Sequence, residues 1–185
     1  AMKVDKDYFI DRSSWAWWWE TGLEIDNASE AELVRDNFLR AVFGNWAYLK
    51  NCVPKYANYR LDYLQHIAMK RESRRLLGDV ILDETDILER VEFPDASFTT
   101  TWTMDLHYAK PKNAARYPGW EWVTYCTHHK PLAKVDRYDV PYRVLYSRNI
   151  DNLFIGGRNM SVTHQALGTV RVQMTLGMAG EVTGM

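Results

Sequence analysis

Near its C-terminus the chain reads Leu153-Phe154-Ile155-Gly156-Gly157-Arg158 and then, after a connecting loop, Gly168-Thr169-Val170-Arg171-Val172. An apolar triplet running into paired glycines predicts a short buried strand and a turn, since glycine permits backbone shapes and close approaches that a Cβ forbids. A helix opening at Gly168 and running through 169–185 would aim unbonded backbone N–H groups, and the positive end of its dipole, at an anion or an electron-rich ring. Strand, glycine turn, loop and helix in this order is how a doubly wound domain presents a helix start to a ligand. The plain alternative is strand packed on helix with nothing between them.

Working outward, Ser29-x-x-Glu32 reads as a capping box, and Val34, Phe38, Val42, Trp46 and Leu49 recur at helical spacing until Pro54. Residues 56–82 are mixed. Leu61, Leu64 and Ile67 suit a helix or an extended segment, and the stretch ending Val80-Ile81-Leu82 suits a strand. From 96 to 107, Ala96, Phe98, Thr100, Trp102, Met104 and Leu106 alternate with polar residues, which predicts a long strand with one face buried. These elements make an α+β fold, with a helix near 29–50 against an antiparallel sheet that includes 96–107. The expected division is a substrate (cap) domain at 1–145 and a strand, turn and helix at 146–185.

Composition narrows the function. The chain has 185 residues, 46% apolar and 25% charged, with a formal net charge of -1 and no long like-charge run. That argues against nucleic acid or an anionic membrane as partner. No apolar stretch reaches the roughly 20 residues of a membrane span. Cys52 and Cys126 are too few for a disulfide scaffold or a Cys-rich zinc site and read as packing residues. The apolar, uncapped end at 176–185 reads as cut, so the sequence is taken as a piece of a larger protein.

Several constellations could carry chemistry. Arg71, Arg74 and Arg75 put at least two guanidinium forks on one face, suited to carboxylate, phosphate or carbonyl acceptors, unless they only pair with Glu72 and Asp79. Asp105-x-His107 places a carboxylate and an imidazole on one face of a strand, as an oriented base or half of a metal site. His128, His129 and His164 could extend a metal site, but no ligand spacing supports one. Trp15, Trp17, Trp18 and Trp19, with a second aromatic patch at Trp120, Trp122 and Tyr125, either seal a packing surface or stack on a planar or sugar ligand.

Taken together, the motifs resemble a known family. The stretches 139–143 and 149–159, followed by Thr163-His164-x-Ala166-Leu167-Gly168-Thr169-Val170-Arg171-Val172, are similar to the C-terminal part of bacterial FAD-dependent oxidoreductases of the glutathione-reductase-like superfamily. Upstream, Arg71-Glu72-Ser73-Arg74-Arg75 with Gly78-Asp79, Trp102-x-x-Asp105-x-His107 and Trp17-Trp18-Trp19-Glu20 resemble further segments of that family in the same order. One departure stands out: the Gly-x-Gly-x-x-Gly turn that holds the ADP half of FAD does not occur in residues 1–185.

The resemblance implies a substrate domain joined to the last strand and helix of a bipartite FAD domain. It implies that Gly156, Gly157 and Arg158 lie beside the ribityl and phosphate part of FAD, and that Gly168, Thr169, Val170 and Arg171 meet the flavin, the first three through backbone N–H groups. Hydride transfer from a substrate C–H bond to the flavin would need a base and a clamp, for which His107, His164, Asp105, Arg71 and Arg75 are the candidates. Expected partners are a small, possibly carbohydrate-like substrate, the missing N-terminal FAD domain, and a second copy through an exposed strand edge. The isolated piece is expected to bind FAD weakly and to be inactive, and a bacterial cytoplasm or periplasm is the expected compartment. A non-catalytic glycan-binding module using the clustered tryptophans is the competing reading.

Overall fold

A computed structural model describes residues 26, 28–67, 69, 72–106 and 136–185 in full, and the backbone of 19–21, 107–108, 123–125 and 127–128. Two compact units emerge, Ala1–Lys70 with Tyr108–Thr127 and Arg71–His107 with His128–Met185. The architecture is mixed helix and small antiparallel sheet, an α+β fold.

In the first unit, β1 (Trp19–Thr21) pairs antiparallel with β4 (Val123–Tyr125), with Trp19 opposite Tyr125. The ladder therefore joins the backbones of two aromatic stretches more than a hundred residues apart in sequence. Helix α1 (Ala31–Cys52) buries Val34, Ala41, Asn45 and Leu49 and stops where Pro54 opens a 3₁₀ turn. The Ser29 capping box does not form. Asp26 takes that role one turn earlier, its carboxylate accepting from the Ala28 N–H at 2.8 Å, and the α1 cap position, Glu30, makes no side-chain cap bond. Cys52, expected to be buried, is exposed at the end of α1, and Cys126 lies outside the described residues.

The second unit holds the main core. Strand β2 (Ala96–Thr100) pairs antiparallel with β6 (Tyr138–Pro141), with Thr100 opposite Tyr138 and an irregularity between Ala96 and Phe98. The twelve-residue strand expected over 96–107 is thus cut to five residues. Its partner begins at Tyr138, and beyond it the chain turns on local bonds, the Asp105 N–H donating to Thr103 O at 2.8 Å and the Trp102 N–H to Thr100 Oγ1 at 3.3 Å. The alternation still works as a burial pattern over most of its length, since Phe98, Thr100, Met104 and Leu106 are buried, while Ala96 and Trp102 face out. A further short ladder pairs β3 (His107–Tyr108) with β5 (Thr127–His128).

Residues 72–81 form no regular ladder, contrary to the strand expected there, and only Leu82 bridges to Val162. Separate bonds fix the segment instead: the Leu76 N–H to Asn159 O at 2.7 Å, the Leu82 N–H to Ser161 O at 3.1 Å. A Cβ at Gly78 would fall 2.3 Å from Arg143 O, so backbone touches backbone there. A true capping box opens α2 (Glu84–Glu89), with Asp83 accepting from the Thr85 and Asp86 N–H groups while Asp86 accepts from the Asp83 N–H.

Two helices close the chain, α3 (His164–Val170) and α4 (Gln173–Gly184). The expected single helix from Gly168 is corrected: Thr163 caps α3, Gly168, Thr169 and Val170 lie buried in its last turn, and Val172, extended at φ -72° and ψ 146°, separates the two. Leu153-Phe154-Ile155 is not a buried strand either. Phe154 makes one antiparallel bridge to Tyr146 and is 47% exposed, because residues 145–147 are its only described strand partner. Leu82, Ile87, Met104, Val140, Leu145, Met160, Leu167 and Val170 form the center of the core, while Met174 and Met185 stand out in solvent from α4. No helix among the described residues is long and apolar enough to cross a membrane.

Candidate functional site

The start of α3 gathers three side chains whose chemistry belongs together. Thr163 Oγ1 caps the helix by accepting from the Ala166 N–H at 3.3 Å and donates to Glu84 Oε2 at 3.3 Å, which fixes the backbone from which His164 projects. His164 Nδ1 lies 2.7 Å from Glu72 Oε2, and the other oxygen of the same carboxylate, Oε1, pairs with Arg75 Nη2. Burial, and then the Arg75 guanidinium, push the imidazole below its ordinary range, which favours the neutral ring. Burial alone also lowers Arg75, whose Nε finds no hydrogen-bond partner among the described residues.

The other end of α3 is built differently. Arg171 Nη2 donates to Asp105 O at 2.8 Å and Asp105 Oδ2 at 3.2 Å, and a Cβ on Gly168 would fall 3.1 Å from Asp105 O. Asp105 thus lies beside Gly168, four residues or roughly 6 Å of helix rise along α3 from His164. Beside Arg171 runs a buried hydroxyl chain. Tyr138 Oη bonds Thr169 Oγ1, and Thr175 Oγ1 bonds Thr100 Oγ1 at 3.1 Å, tying β2 and β6 to both terminal helices. Burial raises the Tyr138 phenol far above its ordinary range, so it stays protonated.

Of the candidate base and clamp residues, the structure brings together His164 and Arg75 and pairs Asp105 with Arg171. Arg71 and His129 lie outside the described residues, and His107 and His128 are described as backbone only. Arg74 is exposed, and no group of three His, Cys, Asp or Glu residues among the described residues could hold a metal. Glu72 was legible only as a salt-bridge partner for the arginines. Its link to His164 spans ninety-two residues and leaves no spacing signal.

The glycine turn and α4 make the second part of the site. A Cβ on Gly156 would fall 2.8 Å from both Gly180 Cα and Thr183 Oγ1, so this glycine serves the packing of turn on helix. A Cβ on Gly157 would meet only Asn159 Oδ1, at 3.2 Å. The unbonded N–H groups of the last helix belong to the turn opening at Gln173, where no side chain caps them. The sequence matches the family described as FAD dependent oxidoreductase over residues 7–185. The chain belongs to that family. No curated protein and no solved structure matches it.

FAD is accordingly the cofactor of this FAD dependent oxidoreductase family, and the residues present suit it. FAD offers acceptors, the pyrimidine carbonyls and the phosphates, and the chain offers donors: uncapped N–H groups at the start of α4, the exposed Arg158 guanidinium, and an open approach over Gly157. Gly156 packs about two turns along α4 from its start, so the turn and the helix start lie apart along that helix.

Proposed function

We propose that this flavin oxidoreductase takes a hydride from a C–H bond of a small, polyhydroxylated substrate, with His164 accepting the O–H proton. Bound FAD supplies the two-electron acceptor. The observation that carries the reading is the Glu72–His164 contact at 2.7 Å at a capped helix start, in a chain of an FAD dependent family. A neutral imidazole with its proton held on Nδ1 has its lone pair on Nε2, which is the atom that takes the substrate proton. Arg75, a quarter exposed beside Glu72, orients a substrate oxygen as a clamp. Arg71 is the second clamp, and Asp105, held by Arg171, fixes the backbone leading to His107.

Gly156, Gly157 and Arg158 line the ribityl and phosphate stretch, and the opening turn of α4 faces the flavin pyrimidine. A helix start stabilises the negative charge that reduction places there. Gly168, Thr169, Val170 and Arg171 act by holding that opening turn against Asp105 and Tyr138. The reading further takes the protein as bacterial, of the glutathione-reductase-like superfamily, divided into a cap domain at 1–145 and FAD-domain elements at 146–185. A dinucleotide-binding segment outside these 185 residues completes the FAD site, the isolated chain being inactive, and two copies can meet along the 153–157 edge.

The test is anaerobic reduction by polyols and sugars of the flavin-loaded protein with its dinucleotide-binding segment present, followed by visible absorption. His164→Ala is expected to slow reduction by about 100-fold with the flavin still bound. An unchanged rate removes His164 as the base.

A further inference from the structure

We propose that Glu72 is a positioning residue that sets the tautomer of His164, and that Arg75 sets which way Glu72 can act. This rests on the proposed role of His164 as the base, but it is read from hydrogen-bond chemistry that can be measured without turnover. Glu72 divides its carboxylate between two donors, Oε1 to the Arg75 guanidinium and Oε2 to His164 Nδ1 at 2.7 Å. A guanidinium only donates and a carboxylate only accepts, so the proton on the neutral ring is held at Nδ1 and the lone pair at Nε2. The three groups are about a quarter to two-fifths exposed, shielded enough for hydrogen-bond polarity to decide the tautomer.

Glu72 and Arg75 reach the ring from the 72–75 segment, and Glu84 reaches the Thr163 hydroxyl at the cap from the start of α2. The Arg171–Asp105 pair lies at the far end of α3.

The decisive variant is Glu72→Gln, nearly identical in shape. Its amide has one acceptor and one donor end, and Arg75 claims the acceptor. The amide NH₂ then faces Nδ1, which must accept, and the proton moves to Nε2. Removing the competing guanidinium in Glu72→Gln/Arg75→Met frees the amide to turn its oxygen to the ring, and the Nδ1–H form returns. Isotope-edited NMR of the imidazole nitrogens reads the tautomer directly in each protein, and the pH profile of flavin reduction follows its effect.

Glu72→Gln is expected to show Nε2–H and a reduction rate lower by about 10- to 100-fold, flattened across the pH range in which the wild-type rate climbs with His164 deprotonation. The double variant is expected to recover Nδ1–H. Nδ1–H persisting in Glu72→Gln, with a native unfolding midpoint, overturns the proposal. A switched tautomer with an unchanged reduction rate upholds the positioning by Glu72 and overturns His164 as the base. Should Glu72→Gln fold poorly, Arg75→Met alone decides, since Glu72 must then still hold Nδ1–H.

Discussion

Asp95 illustrates how single residues are held in this chain. Arg143 grips its carboxylate through Nη2 at 2.8 Å, Nε at 3.0 Å and its own backbone N–H at 3.0 Å. Hydrogen bonding to the Arg143 side chain, with smaller contributions from its backbone N–H and charge, holds Asp95 below its ordinary value of 3.8, with burial opposing. A carboxyl whose value falls on folding adds stability that is complete above its unfolded value and fades as pH drops through its folded one. Chemical denaturation of wild type and Asp95→Asn should therefore differ most near neutral pH, and the difference should close below pH 3.8. A constant difference at all pH values would assign Asp95 a packing role instead. The exposed part of the pair keeps the effect modest.

Among the elements, α2 makes the sharpest case, because six residues cannot sustain a helix by propensity alone. Its capping box at Asp83 and Asp86 supplies the missing bonds, and Asp83→Ala should cost about 1 kcal/mol in denaturant midpoint measurements. No loss would place the helix under the control of Ile87 packing. That box is written Asp-x-x-Asp, without the Ser-x-x-Glu pattern that marks a capping box in sequence, whereas the Ser29-x-x-Glu32 pattern does not close. Periodicity served best where one chain segment decides: α1 and its end at Pro54, and the buried face of 96–106, are visible in the residues. Pairing is what sequence hides. How long β2 runs depends on where β6 begins, and whether 72–82 is a strand depends on a neighbor supplied by 159–163. The break between α3 and α4 was hidden for the same reason, since the chain turns extended at Val172, just past Arg171, whose guanidinium is held by Asp105, sixty-six residues away. Of the site, His164 and Arg75 were legible as residue types, and Glu72 was not, because its partner is set by tertiary contact.

At the scale of the whole molecule, the two units are unequal in content. The second contains the described core and the Glu72, Arg75 and His164 cluster, while all tryptophans except Trp102 fall within the sequence ranges of the first. Indole emission in Trp102→Phe should thus report the first unit, and circular dichroism both. Urea titration is expected to give non-coincident midpoints for the two signals, whereas one shared midpoint would mark a single cooperative body. The methionines carry a related consequence. Met174 and Met185 are 86% and 93% exposed on the last helix, whereas Met104 and Met160 are sealed in the core of the same unit. Peroxide passes one oxygen to a thioether and leaves as water, and access governs the rate. The order in which these sulfurs become sulfoxides is thus a built-in clock for opening of the second unit: the outer pair mark time at once, and the inner pair only when the core has parted.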